Sequence, residues 1–187
     1  MRRFIPFIGI LVVILTGAKQ TNIGPAPVVL KIDRADADRD QKARILDWMG
    51  RTSSVPAEIL EQIYEEAHKH AFPDLLLAIA KVESDFDPAA ISHAGATGLT
   101  QIMATVWEKE FREEGVISGA DDLFDVSRCM AASAYILGKY LAWEGGDLRG
   151  ALTRYGGTRA DRGYQDKVIG TLAEIQGMKY QTGRLGT

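Results

Sequence analysis

Read by its apolar and polar positions, the chain divides into helical stretches separated by turns rich in glycine and proline. Leu60, Ile63, Tyr64 and Ala67 recur at intervals of three and four, which gives one apolar face to a helix beginning near Ser54 or Pro56. Glu58 and Glu61 complement the positive end of its dipole. From Pro73 the pattern changes: Leu75 to Ala80 is unbroken apolar sequence, and a helix apolar all round is a buried one. Pro73 suits its first turn, where a missing N–H is no loss. Thr105 to Glu114 reads as a polar helix and Gly115 to Asp122 as a loop. Val126, Met130, Ala134, Leu137 and Leu141 then mark the inner face of a long helix from Asp125 to Trp143, closed by Gly145 and Gly146. Leu148 to Tyr155 forms a short helix ahead of Gly156 and Gly157. Val168, Ile169, Leu172 and Ile175 make a last amphipathic helix from Tyr164, and the residues from Gln176 read as a frayed tail. Upstream, Arg34 to Met49 is polar until Ile45, Leu46 and Trp48, which predicts a helix whose C-terminal half packs on the domain. No stretch alternates convincingly as a strand would, and no internal repeat appears. The expected fold class is mainly α, a single helical domain over 55–175 built around the Leu75–Val82 helix, with a tail at 176–187.

The first residues follow another pattern. Two arginines, an apolar run from Phe4 to Leu15, and Thr16 and Ala18 placed as at a cleavage site make residues 1–18 a secretory signal. The run is short for a permanent span. Residues 19–54 then comprise a Gly- and Pro-bearing linker, TNIGPAPVV, and the N-terminal helix. The expected location is the periplasm or cell envelope, with no stable membrane span after cleavage. Cleavage removes Arg2 and Arg3 and no acid, moving the formal net charge from −3 to −5. No concentrated basic run exists, so nucleic acid is excluded as a partner. The single cysteine, Cys129, forms no internal disulfide and falls in the apolar pattern of a helix, as a small buried hydrophobe would. His68 and His70 point to different sides of a helix end, so no metal site is expected.

Chemistry concentrates where the buried helix ends. Its last apolar turn runs into Glu83 and Ser84, and partial burial at the negative end of a helix dipole disfavours the charged carboxylate, the condition a proton donor needs near neutrality. Pro88 biases Asp87 out of helical dihedrals, so the helix stops soon after Glu83. Gly95 and Gly98 permit tight turns that bring Gln101 back toward that helix end.

These residues carry a resemblance. Glu83, Ser84, Phe86, Pro88, Ala90, Ser92, Gly95, Ala96, Gly98, Leu99, Gln101 and Ile102 stand in the order E-S-x-F-x-P-x-A-x-S-x-x-G-A-x-G-L-x-Q-I, which resembles the soluble lytic transglycosylase family, relatives of goose-type lysozyme. The resemblance covers roughly Val55 to Val168. It implies a lysozyme-like α-helical domain that cleaves peptidoglycan glycan strands without a cofactor. Glu83 matches the catalytic acid, Ser84 a residue that orients substrate or the carboxyl, Gln101 a residue of the substrate groove, and Tyr155 a tyrosine near the acid. Tyr164 matches a second tyrosine more loosely. Three positions depart from the family pattern: Thr100 replaces a methionine, Ala104 a proline, and Gly156 the asparagine after the tyrosine. On this reading Gly156→Asn is expected to fold normally.

Three functional classes follow: a lytic transglycosylase, a hydrolytic muramidase, and a non-catalytic glycan-binding envelope-assembly module. The presence of Glu83 disfavours the third. Counting acids favours the first, because hydrolysis commonly uses two carboxyl groups, about 5 Å apart or roughly 6.5–9.5 Å apart. Asp85 and Asp87 are poorly placed beside Glu83, and Asp121, Asp122 and Asp125 read as loop and cap residues. The lyase would act at the bond between N-acetylmuramic acid and N-acetylglucosamine. The resemblance further implies, as partner, a secretion, conjugation, pilus or phage apparatus that must pass the wall.

Overall fold

The structure, a computed structural model, describes residues 34–157 and 163–180. The expected signal segment, the whole TNIGPAPVV linker and residues 181–187 of the expected tail lie outside them. Among the described residues seven helices follow one another: α1 (Arg34–Thr52), α2 (Ala57–Ala67), α3 (Pro73–Ser84), α4 (Ala104–Glu113), α5 (Val126–Trp143), α6 (Leu148–Gly156) and α7 (Tyr164–Tyr180), with a 3-10 turn at Ala120–Phe124 before α5. Among the described residues there is no strand, only isolated bridges joining Ile91 to Thr97 and Thr97 to Ile102.

The unbroken apolar run becomes the centre of the molecule. Leu75 to Ala80 are all buried, with α7 packed along α3 and α2 and α5 against its other sides. Burial of this kind stabilises by roughly 1.5–3 kcal/mol for each large aliphatic side chain. The flanking helices start where their capping residues stand. Asp125 accepts the Arg128 N–H at 2.9 Å to open α5, and Asp147 accepts those of Arg149 and Gly150 at 3.1 Å to open α6. The second helix starts at Ala57, after Pro56.

The N-terminal helix packs as its apolar positions require. Ile45, Trp48 and Met49 are buried, and the Trp48 indole N–H donates to Glu174 Oε1 at 2.9 Å. The last helix differs from expectation: α7 continues past Ile175 to Tyr180. The Lys179 ammonium pairs with Asp74 at 2.8 Å and Arg44 Nε donates to the Met178 carbonyl at 2.9 Å. Tertiary partners thus hold as helix a segment whose polarity reads as tail. Among the described residues no helix is long and apolar enough to cross a membrane.

Candidate active site

The end of α3 is set by two successive residues in the left-handed region, Asp85 at φ 57° and Phe86 at φ 67°. Neither is glycine, and that conformation costs about 1–2 kcal/mol for an L residue. Three anchors hold it. Phe86 is fully buried with its ring edge-on to Trp48 at 5.8 Å. The Asp85 carboxylate pairs with Lys81, and the Asp85 carbonyl accepts from Ser53 Oγ at 2.9 Å. The helix therefore stops at Glu83 and Ser84, both half-buried, by a bend that packing enforces. Non-glycine residues in strained backbone cluster at functional sites.

The chain then returns. Gly98, at φ 76°, is irreplaceable on steric grounds, because a Cβ there would stand 2.0 Å from the Leu123 carbonyl oxygen. Its N–H donates to Ala90 O at 2.8 Å, and the following turn brings Leu99 back to the helix end. Ser84 Oγ donates to Leu99 O at 2.6 Å. Ser84 thus joins the end of α3 to this loop at Leu99.

Gln101 also adopts a left-handed backbone, at φ 51°, and is buried to 7 % exposure. Its amide nitrogen donates to Ala90 O at 3.1 Å and Gly98 O at 3.0 Å. Both amide hydrogens hold the loop, which leaves the carbonyl oxygen as the group Gln101 offers a ligand.

Tyr155, at the end of α6, reaches the same place. Its hydroxyl donates to Thr100 O at 3.3 Å and lies 2.9 Å from Ser133 Oγ. With the single phenolic proton directed to Thr100, Ser133 is the donor of that pair. Burial pushes the Tyr155 hydroxyl well above the usual tyrosine range, its hydrogen bonding with Ser133 and Thr100 opposes this, and the Glu83 charge adds to it. Glu83 and Tyr155 are thus electrostatic neighbours. Ser133 is fully buried on α5 and escaped sequence reasoning, since a serine in a core helix carries no signal of its partner. Thr100, also buried, lies 3.3 Å from the Cys129 sulfur, and burial raises that thiol's pKa.

A cleft of about 290 Å³ opens beside these groups. Its walls include Gln101, Ile102, Met103, Trp107, Tyr140, Arg154, Tyr155 and Gly156, and no aspartate or glutamate. Glu83, Ser84 and Tyr164 stand outside the wall. Tyr164 is a core residue with 9 % exposure, and its ring packs on Gly156, where an added Cβ would meet Tyr164 Cδ1 at 2.9 Å. The expectation that asparagine fits at 156 is therefore corrected: the buried ring occupies that space.

Asp85, Asp87, Asp122 and Asp125 are in structural use. Asp85 pairs with Lys81, and Asp87 Oδ1 accepts the Ala89 N–H at 2.9 Å. Asp122 accepts the Ser118 N–H at 2.6 Å, and Asp125 caps α5. His68 ends α2, with its ring stacked on Tyr64 and Nδ1 2.8 Å from Tyr64 O. Among the described residues no group of three or more His, Cys, Asp or Glu side chains is arranged to hold a metal ion.

Helices packed round one buried helix, with an acid where that helix ends and a cleft beside it, define a lysozyme-like domain of the glycan-cleaving kind. Residues 62–168 match the model of the family described as Transglycosylase SLT domain, and the chain belongs to that family. The matched segment begins inside α2 and ends inside α7, so α1 lies wholly outside it. No curated protein and no solved structure matches the chain.

Proposed function

We propose that the protein is a peptidoglycan lytic transglycosylase with Glu83 as its single catalytic acid and base. The observation that carries the reading is the lone acid. Glu83 is the carboxylate whose charge reaches Tyr155 in the cleft wall, no aspartate or glutamate lines that wall, and Asp85, Asp87, Asp122 and Asp125 are held in caps, turns and an ion pair.

A single carboxyl group suffices when the nucleophile belongs to the substrate. Glu83 protonates the glycosidic oxygen between N-acetylmuramic acid and N-acetylglucosamine. The resulting carboxylate then takes the proton of the muramic C6 hydroxyl as that oxygen attacks C1 and closes a 1,6-anhydro ring. The proton count balances, with Glu83 returned to its acid form, and an intramolecular attack has its proximity advantage built in. Tyr155, fixed by Ser133 and Thr100, keeps a neutral hydroxyl within the field of the Glu83 carboxylate. Gln101 contributes an oriented carbonyl, and Ser84 holds the loop against the helix end. In this family the substrate is peptidoglycan of the cell envelope.

The test is digestion of purified peptidoglycan with mass spectrometry of the products. The expected muropeptides end in 1,6-anhydromuramic acid and are one water lighter than hydrolytic ones, and Glu83→Gln, folded normally, yields none. Free reducing ends throughout would establish the muramidase instead.

A further inference from the structure

The cleft extends beyond Tyr155 along a wall from α4, α5 and the end of α6 that the proposed chemistry does not use. Trp107 forms its middle. That ring stacks on Phe111 at 5.8 Å between centroids, meets Tyr140 edge-on at 5.7 Å, and has the Lys139 ammonium 5.4 Å from its centroid. Lys139 is fixed in turn by an ion pair with Glu110, which also accepts the Tyr135 hydroxyl at 2.7 Å. A ring braced in this way loses little freedom when a ligand lies on it.

Arg154 completes the wall, one residue before Tyr155. Its Nε pairs with Glu144, and its guanidinium lies 5.7 Å over the Trp143 ring. Its charge is felt at Tyr140, where it opposes the upward push of burial on that hydroxyl. The pair is partly exposed, 49 % on the Arg154 side chain and 24 % on that of Glu144, and it orients the guanidinium through Nε. With Nε engaged, the donors that remain are the terminal amines, a fork suited to a carboxylate. The cleft is otherwise mainly apolar and the chain is acidic overall, so this cation is not part of a general basic field.

We infer that Arg154 determines the specificity of the cleft by binding a carboxylate carried by the glycan strand, while the Trp107–Tyr140 wall receives the apolar face of a sugar ring. The inference rests on the peptidoglycan reading. In such a strand only the muramic unit carries a lactyl ether ending in a carboxyl. That group is a free carboxylate where the stem peptide is absent and an amide where it is present, the nearest carboxylates then being those of the peptide. A strand of N-acetylglucosamine alone has neither.

The experiment measures binding to Glu83→Gln protein, which holds substrate uncleaved, by calorimetry. The ligands are N-acetylglucosamine oligomers, peptide-free oligomers containing muramic acid, and the same oligomers bearing stem peptides. On this background Arg154→Ala is expected to weaken binding of a carboxylate-bearing strand about tenfold, the size of one charge-assisted contact, and to leave the N-acetylglucosamine oligomer unchanged. Arg154→Lys, which keeps the charge but not the fork, should recover part of the loss. In the enzyme with Glu83 intact, Arg154→Ala should raise KM and spare kcat. Weakening confined to peptide-free strands identifies the muramic carboxylate, and weakening confined to stem-bearing strands identifies the peptide. Equal loss on all three ligands, or no loss on any in a variant of unchanged thermal stability, overturns the assignment of Arg154. Failure of the Arg154-intact protein to bind any strand would overturn the peptidoglycan reading itself.

Discussion

Gly156 is buried with the Tyr164 ring against it, and the site owes part of its shape to the absence of a side chain there. A Cβ would lie 2.9 Å from Tyr164 Cδ1 and 3.1 Å from Cε1, against one side of a ring that is buried in the core. Gly156→Asn is therefore expected to lower the free energy of unfolding by about 1–3 kcal/mol, the ordinary cost of overpacking, and to displace the adjoining Tyr155. Denaturant unfolding checks it; wild-type stability in the variant would mean that the Tyr164 ring yields freely. At this scale the sequence was partly legible. The half-buried place of Glu83 could be read because an apolar helix runs into it, and the turn at Gly98 because the chain had to reverse. The left-handed backbone at Phe86 and Gln101 could not, since neither is a residue type that announces it, whereas Asp85 is of a type that adopts it more readily. Nor could the pairing of Ser133 with Tyr155, whose separation along the chain only the fold closes.

Helices were the most legible level, because the hydrophobic period marks α2, α3, α5 and α6, and aspartate caps agree with it in α5 and α6. Where α7 ends was not legible, as Lys179 and Met178 find their partners on α3 and α1. The consequence of α1 for the site was equally hidden. This helix lies outside the matched family segment, yet Trp48 packs edge-on to Phe86, one of the two strained residues that end α3 just after Glu83. Trp48 also donates to Glu174, so α1, α7 and the end of α3 share one anchor. Trp48→Ala is expected to cost about 3–5 kcal/mol of stability, as large aromatic truncations do. Its effect should also reach the acid: under conditions where the variant is fully folded by circular dichroism, the rate of clearing a peptidoglycan suspension should still fall. A folded variant with wild-type clearing would show that the bend after Glu83 does not depend on α1.

At the scale of the whole molecule, the displaced titrations oppose each other across the pH range. Glu65, Glu66 and Glu110 are held below the usual carboxylate value of 4.5, by hydrogen bonds from Lys42, Lys69 and Lys139 respectively. Their folded-state values are lowered, so their contribution is present above that value and is lost as acid protonates them. Tyr135 is displaced the other way, raised to about 12 from 10.0, first by its hydrogen bond to Glu110 and then by burial. Burial likewise raises Tyr64, Tyr140, Tyr155 and Cys129. For each of these the unfolded chain ionises first, so stability is full below the unfolded value and falls as pH rises toward the folded one. Thermal unfolding followed against pH should therefore show a plateau between about pH 5 and 9 that declines on both sides. Glu110 belongs to both limbs, and through Lys139 it also braces Trp107 in the cleft wall. Tyr135→Phe isolates its partner. At neutral pH the variant should unfold at a lower temperature, having lost a hydrogen bond to a carboxylate. Above pH 10, where unfolded wild-type tyrosine ionises and phenylalanine does not, the gap should narrow. A gap that stays constant from pH 7 to beyond 11 would show that the Tyr135–Glu110 bond does not shift this tyrosine, and the alkaline limb would then belong to the buried tyrosines and Cys129 alone.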